Sequence, residues 1–182
     1  MKEIIEDGNV TAYVGVGSNL GDKAVFCRRA VRMVDEMVDC RVCRVSSLYR
    51  TEPVGVQGHD WYLNGVIGVC TTLTPQGLLE RLLDVEYRLG RVRTGILQPR
   101  VIDLDLLLFG RTVINTLDLI LPHPRMHLRR FVMAPMAEIA PDLPHPVLGL
   151  TVEKLLEACP SDGQGVSLWP SVNSARGKAW WS

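Results

Sequence analysis

The sequence lacks the long apolar run that a membrane-spanning helix requires. No stretch reaches ~18 consecutive apolar residues, so we expect a soluble protein without a membrane partner. The opening MKEIIEDGNV is acidic and polar early, unlike the basic and then apolar start of a secretory signal. The five cysteines are odd in number and scattered, which argues against a disulfide framework and favours a reducing, cytoplasmic location.

An excess of either charge is also absent. Lysine and arginine number 20, and aspartate and glutamate also number 20, so the formal net charge is zero. This balance excludes a generally basic surface for nucleic acid. The phosphate-binding loop GxxxxGK[ST] and the protein-kinase motifs are missing as well, so an ATP site in this chain must hold the phosphates by other means.

The sequence does contain enough apolar material for one packed domain, since 47% of its 182 residues are hydrophobic. Residue spacing predicts strands at 11–19, 41–51, 61–73 and 101–109, helices at 22–38 and 75–90, and a short hairpin partner for the last strand around 112–115. This order predicts an α+β, ferredoxin-like fold with a βαββαβ core, in which helices pack on the faces of an antiparallel sheet and the two core helices share one face. We assign residues 1–160 to the domain and 161–182 to a C-terminal tail of unknown role.

Two aspartates interrupt an otherwise apolar strand in RVIDLDLLLFG, residues 100–110. Side chains alternate along a strand, so Asp103 and Asp105 share one face. The opposite, core face is predicted to hold Ile102, Leu104, Leu106 and Leu108. Neighbouring carboxylates repel unless a cation lies between them or arginines surround them. Mg²⁺ accepts such oxygens and takes its other ligands from water and phosphate, so the pair is a candidate magnesium site, with a solvated surface pair as the alternative.

Arginines cluster on both sides of this strand. Arg91, Arg93 and Arg100 precede it, and Arg129 follows it in LPHPRMHLRRF together with His123. The planar guanidinium group can bind two phosphate oxygens at once. The cluster therefore favours a phosphate-bearing substrate, although ordinary surface arginines would account for part of it and a single histidine is more often structural than functional.

Three classes of function remain open from the residues alone. The first is a magnesium-dependent phosphate-transferring enzyme. The second is a non-catalytic ferredoxin-like module that binds a small ligand or a protein, and this class gives no reason for two same-face aspartates beside an arginine-rich loop. The third is a two-metal nuclease or nucleotidyltransferase, which would need a basic or aromatic track that the neutral composition does not supply.

Six sequence blocks together resemble one family. In chain order they are YVGVGSNLGD, SSLYRTEPVG, YLNGV, LLDVEYRLGRVR, PRVIDLDLLLFG and LPHPRMHLRRFV…PMAEIAPDLPHP, which span roughly residues 11–156. They are similar to those of the hydroxymethyldihydropterin pyrophosphokinase family (2-amino-4-hydroxy-6-hydroxymethyldihydropteridine pyrophosphokinases). The resemblance implies a ferredoxin-like α+β fold. It also implies transfer of pyrophosphate from ATP to the hydroxymethyl group of 6-hydroxymethyl-7,8-dihydropterin, with release of AMP, in folate biosynthesis.

The resemblance further implies roles for particular residues. Two Mg²⁺ ions would be held by Asp103 and Asp105, which form the catalytic set with Arg91 and Arg100. The ATP-binding residues would be Glu86, Arg91, Arg93, Arg100, His123 and Arg129. The pterin-binding residues would be Thr51, Pro53, Val54, Tyr62, Asn64 and Phe131. Of these, Tyr62 and Phe131 would stack on the ring, and Asn64 would bond its mixed donor and acceptor edge.

The resemblance has one local departure. The run TGILQ, residues 94–98, replaces a basic residue, an aromatic residue and a glycine that the family usually has before Pro-Arg. In the family this loop closes over the substrates and excludes water. For partners we expect only the two small-molecule substrates, and for assembly a monomer or a dimer.

Overall fold

The computed structural model describes residues 9–53, 60–92, 99–170 and 180–181. The strands are β1 (Val10–Ser18), β2 (Cys40–Val45), β3 (Tyr49–Thr51), β4 (Tyr62–Thr71), β5 (Asp103–Phe109), β6 (Ile114–Asn115), β7 (Ile120–Leu121) and β8 (Val166–Leu168). The helices are α1 (Lys23–Asp35), α2 (Pro75–Arg88), α3 (Arg130–Ile139) and α4 (Val152–Ala158), and a 3-10 helix covers Met126–Leu128. Among these residues, no helix is both long and apolar enough to cross a bilayer.

Both helices of the predicted core begin as their sequences indicate. Asp22 accepts a hydrogen bond from the backbone N–H of Val25 at the start of α1, and Thr74 accepts one from Gly77 at the start of α2. Such caps satisfy backbone N–H groups that have no partner within the helix. The single strand expected at residues 41–51 is instead two strands, because Ser46 between them bonds Val66 of β4 through its backbone and its hydroxyl.

Six strands form one sheet in the order β5-β1-β4-β3-β8, with β2 also paired to β4. Every pairing in it is antiparallel. A mixed α and β architecture with an antiparallel sheet is therefore confirmed. The edge strand β8 comes from the segment that the sequence assigned to a tail, and the division at residue 160 stays a prediction.

The short strand expected to pair with β5 pairs with another strand instead. Strand β6 pairs with β7 in a separate two-stranded sheet and not with β5. The turn that closes this pair is bonded at both ends, with the N–H of Thr116 donating to the carbonyl of Leu119 at 3.0 Å. This turn folds the chain back directly after β6, so β6 pairs with β7, the next strand. The prediction that it pairs with β5 was wrong.

The sheet separates two apolar clusters. Helices α1 and α2 pack on one face, where Val31 and Leu82 are fully buried, and α3 and α4 pack on the other, around Met133 and Leu155. The core helices thus share one face, as expected. The sequence did not predict α3, because Pro135 lies inside it and proline normally interrupts a helix.

Strand β5 contains an irregularity that changes which side chains face each cluster. Tyr13 of β1 pairs with Leu108, whereas the next residue, Val14, pairs with Leu106, so Leu107 is an extra residue on β5. As a result Leu107 and Leu108 both belong to the cluster beneath α3. The prediction that Leu108 shares a face with Leu106 was wrong, whereas the two aspartates precede the irregularity and keep their alternation.

Candidate active site

Strand β5, which carries the two aspartates, and strand β4, which carries Tyr62 and Asn64, lie on either side of β1. Gly17 of β1 pairs with Asp103 of β5 on one side and with Asn64 of β4 on the other. Because adjacent strands lie about 4.8 Å apart, roughly 10 Å separates the backbones of Asp103 and Asn64. A Cβ added to Gly17 would lie 2.5 Å from Oδ1 of Asn64. A side chain at Gly17 would therefore displace the Asn64 amide. Sequence reasoning did not select this position, and glycine within an apolar strand was the available signal.

Asp103 has a cationic partner at each carboxylate oxygen. Arg91 donates from Nη1 to Oδ1 of Asp103 and also to Glu86. Nη1 of Arg100 lies 2.8 Å from Oδ2 of Asp103. Hydrogen bonds between ionised groups are shorter and stronger than neutral ones. The structure thus brings together Asp103 and two arginines that the sequence placed in the same site.

Asp105 experiences a less balanced electrostatic environment. Its Oδ2 lies 3.8 Å from Nη1 of Arg129. Burial raises the pKa of Asp105 to about 6, and the charge of Asp103 acts in the same direction, while Arg129 and Arg100 oppose the shift. A cation bound beside the two carboxylates would offset this repulsion. At Asp105 the arginines therefore only partly offset burial and the charge of Asp103.

The donor set also suits a particular kind of ion. Within the described ranges, no three or more His, Cys, Asp and Glu side chains gather into a group that could hold a metal. Two carboxylates from one strand leave most coordination positions to water and to a ligand. Mg²⁺ prefers this arrangement, since it keeps several waters and takes phosphate oxygens. The residues present therefore fit magnesium.

Glu86 is buried beneath the carboxylate strand. Its side chain is only 2% exposed, and its carboxylate accepts a hydrogen bond of 2.7 Å from the backbone N–H of Leu104 as well as the bond from Arg91. It therefore links α2 to the first residues of β5. An open cavity of about 290 Å³ lies beside it, lined by Leu83, Glu86, Tyr87 and Arg91. Contact of Glu86 with ATP stays a prediction.

Arg100 is fixed at its backbone by Asn19. The N–H of Asn19 donates to the carbonyl of Arg100 at 3.1 Å, and the N–H of Arg100 donates to Oδ1 of Asn19 at 2.8 Å. The Nε–H of Arg100 is buried and has no hydrogen-bond partner within the described part of the chain. Such a donor costs about 1–3 kcal/mol, a cost that an acceptor atom from a bound ligand or water would remove. Sequence reasoning missed Asn19, although it directly follows an apolar strand in GSN.

His123 is held close to the same strand. Its backbone N–H donates to the carbonyl of Leu107 at 2.9 Å, and its Nδ1 accepts from the N–H of Arg125 at 3.2 Å. Burial lowers the pKa of His123 to about 4, and the charges of Arg129 and Arg125 add to the shift. The imidazole is therefore neutral near pH 7, with Nδ1 as acceptor and the proton on Nε2.

The predicted pterin residues lie on three elements. Thr51 of β3 pairs with Tyr62 of β4, and the amide of Asn64 donates to the Thr51 hydroxyl at 2.7 Å. Pro53 follows β3, and Phe131 lies in the first turn of α3. The guanidinium of Arg129 lies 5.5 Å from the centre of the Phe131 ring. Val54, Arg93 and the loop 94–98, whose sequence differs from the family pattern, lie outside the described residues.

Comparison with known proteins agrees with the resemblance seen in the sequence. The family model described as 7,8-dihydro-6-hydroxymethylpterin-pyrophosphokinase (HPPK) matches residues 13–141. The 2-amino-4-hydroxy-6-hydroxymethyldihydropteridine pyrophosphokinase of Bacillus subtilis (strain 168) is 41% identical over 161 residues, which are 88% of this chain and 91% of that protein. The protein of the same name from Methylorubrum extorquens is 46% identical over 132 residues, which cover 72% of this chain and 84% of its own.

A solved structure shares the fold. The crystal structure of wild-type Plasmodium falciparum HPPK-DHPS superposes with a TM-score of 0.67 at 13% sequence identity. The superposition covers 85% of this chain and 45% of the Plasmodium chain, so this chain spans less than half of that protein's length. On the family match and the two bacterial relatives, the chain belongs to the 7,8-dihydro-6-hydroxymethylpterin-pyrophosphokinase family.

Proposed function

We propose that this chain transfers pyrophosphate from ATP to the hydroxymethyl group of 6-hydroxymethyl-7,8-dihydropterin and releases AMP, as a step of folate biosynthesis. Membership of the pyrophosphokinase family supports the reaction. One structural observation supports the proposed location of the site. Gly17 pairs with Asp103 on one side and with Asn64 on the other, so an aspartate of the proposed metal site and a buried amide of the proposed pterin site lie at the same level of the sheet, one strand apart.

Asp103 and Asp105 are the proposed ligands of two Mg²⁺ ions. When bound, Mg²⁺ neutralises phosphate oxygens and helps to orient the triphosphate for displacement at the β-phosphorus. The protein's own contribution is to hold both carboxylates on one strand and to fix Asp103 with Arg91 and Arg100. Preorganised charges of this kind lower the cost of reorganisation during the reaction.

Arginines provide the proposed contacts with the ATP phosphates. Arg100 has a buried Nε–H without an acceptor in the described residues, which supports a role for it in binding a phosphate oxygen. Arg129 lies near Asp105 and gives a second cationic group at the same place. Arg91 orients Asp103, and Glu86 positions Arg91 from beneath. His123 and Arg93 complete the proposed ATP set.

The proposed pterin pocket uses Asn64 and two aromatic rings. The Asn64 amide already donates one proton to Thr51, so its second N–H and its carbonyl are the groups proposed for the pterin edge. Tyr62 and Phe131 are proposed to stack on the two faces of the ring. Thr51, Pro53 and Val54 are the other proposed pterin-binding residues.

The finer fold and the cellular context are also proposals. Strand order β5-β1-β4-β2 with two helices on one face supports a ferredoxin-like core. All five cysteines are free, which supports a reducing cytoplasm. We retain residues 1–160 as the catalytic domain and 161–182 as an appended segment, and we propose a monomer.

The reaction type is tested by product analysis. The protein is incubated with ATP, Mg²⁺ and 6-hydroxymethyl-7,8-dihydropterin, and the adenine nucleotides are separated over time. We expect AMP to accumulate only when the pterin is present. Formation of ADP would show transfer of a single phosphoryl group, and the absence of any pterin-dependent product would refute the proposal.

A further inference from the structure

The segment 164–168 is attached to the strand that carries part of the proposed pterin pocket. Val166 of β8 pairs with Thr51 of β3. Just beyond this pair, the N–H of Glu52 donates to the carbonyl of Gly165 at 3.1 Å, and the N–H of Gly165 donates to Oε2 of Glu52 at 3.2 Å. A Cβ added to Gly165 would lie 2.8 Å from Cδ of Glu52. A larger residue at this position would therefore displace the Glu52 carboxylate, and the three hydrogen-bonding contacts with Thr51 and Glu52 are what attach this segment to β3.

Gln164, the residue before Gly165, bonds to the start of α3. Oε1 of Gln164 accepts a hydrogen bond of 2.9 Å from the backbone N–H of Arg130, the first residue of α3. Its Nε2 donates to the carbonyls of Leu128 at 3.1 Å and Pro160 at 3.2 Å. The N-terminal N–H groups of a helix lack partners within it, and the side chain of Arg129 does not cap α3. Gln164 supplies one missing acceptor from a distant part of the chain.

These contacts connect two elements that supply proposed pterin-binding residues, α3 and β3. Arg130 lies between Arg129, which contacts Asp105, and Phe131, the proposed stacking residue. The same short segment is bonded to β3 at Thr51 and Glu52. The far end of α3 is bonded directly to β3, since the Tyr49 hydroxyl donates to Glu138 at 2.9 Å. At the first turn of α3, a shift relative to β3 would strain the bonds of Gln164.

We propose that Gln164 is a positioning residue for pterin recognition, which holds the first turn of α3, and with it Phe131, at a fixed distance from Thr51. The inference rests on the proposed function and extends it to a residue outside the substrate contacts. Gln164 acts through the backbone of Arg130. An amide suits this position because it accepts from Arg130 and donates to Leu128 with one side chain.

Steady-state kinetics of two variants tests the role. In Gln164→Ala we expect the KM for the pterin to rise about tenfold, equivalent to about 1.4 kcal/mol, while kcat and the KM for ATP change less than about twofold. Gln164→Glu keeps the acceptor for Arg130 and loses the donor, so we expect an intermediate pterin KM. The matched control is Gln76→Ala, an exposed glutamine in the first turn of α2, which should leave all three constants unchanged.

Two results would overturn the inference. One is an unchanged pterin KM in Gln164→Ala, whether or not the melting temperature falls. The other is an equal rise of the pterin KM in Gln76→Ala, which would show a general effect of removing a surface amide. Either result leaves AMP formation by the unsubstituted protein, and hence the proposed function, intact.

Direct binding separates this inference from the reaction itself. Pterin affinity is measured by fluorescence titration in the presence of Mg²⁺ and a non-hydrolysable ATP analogue. If the unsubstituted protein binds the pterin in this titration but forms no AMP with ATP and Mg²⁺, the proposed reaction fails, and about tenfold weaker binding by Gln164→Ala would still support the positioning role. Equal binding by the two proteins would overturn it, and no binding by either would refute both claims.

Discussion

Asn19 and Arg100 exchange two hydrogen bonds, one from each backbone N–H, at 3.1 and 2.8 Å. The second acceptor is the side-chain oxygen of Asn19, which is 4% exposed. This contact fixes the start of the segment that leads into β5. The orientation of the Arg100 guanidinium towards Asp103 therefore depends on a residue at the end of β1.

Replacing Asn19 with alanine removes the acceptor for the N–H of Arg100. We expect kcat to fall about tenfold, because loss of a positioning contact weakens transition-state stabilisation by roughly 1.4 kcal/mol. Asn19→Asp retains an acceptor oxygen and should lose less. Rate measurements at saturating substrates check the prediction, and equal rates for Asn19→Ala and the unsubstituted protein would contradict it.

Truncation of Glu86 should affect stability as well as activity. Glu86→Ala leaves the N–H of Leu104 without its acceptor and Arg91 without one of its two carboxylates. Removing one member of a buried ion pair costs about 3 kcal/mol of unfolding free energy. Chemical denaturation of Glu86→Ala is compared with that of Glu80→Ala, an exposed position on the same helix. A loss in Glu86→Ala no larger than in this control would show that the buried contacts contribute little.

His123 should make stability depend on pH. Its pKa is about 4 in the folded protein, against an ordinary value of 6.5, owing to burial and to Arg129 and Arg125, with Asp103 opposing. Between these values the unfolded chain binds a proton that the folded protein does not, so this part of the stability is complete above pH 6.5 and is lost as the pH falls towards 4.

The His123→Gln variant isolates this effect. Glutamine does not titrate, so the free energy of unfolding of the variant should fall less between pH 7 and pH 4.5 than that of the unsubstituted protein. Urea denaturation at both pH values gives the two differences. Identical falls in both proteins would indicate that His123 is not held in its neutral form.

Local periodicity was sufficient for the parts of the site that one element supplies. The alternation of a strand placed Asp103 and Asp105 on one face, and the structure keeps them there. Helical spacing also contained an unused signal, since Glu86 follows the buried Leu82 by four residues and therefore lies on the apolar stripe of α2.

Contacts between distant segments could not be predicted in the same way. Gln164 and Arg130 are 34 residues apart in the sequence. No local sequence pattern indicates that the side chain of Gln164 bonds to the start of α3. The sequence also does not reveal that Leu107 is an extra residue in β5. Its neighbours are leucines too, so shifting the pairing with β1 by one residue would still place apolar side chains on both faces. Strand pairing partners, and the continuation of α3 through Pro135, are decided by tertiary packing.

Asp103 and Asp105 are proposed to hold Mg²⁺ for pyrophosphate transfer. The most direct measurement quantifies AMP and the diphosphorylated pterin by mass spectrometry with the unsubstituted protein, Asp103→Ala and Asp105→Ala, each with Mg²⁺ and with excess EDTA. We predict equimolar AMP and pterin diphosphate from the unsubstituted protein with Mg²⁺ and neither product under the other conditions, while circular dichroism shows all three proteins folded. Near-normal product formation by either variant, or by the unsubstituted protein in EDTA, would contradict the account.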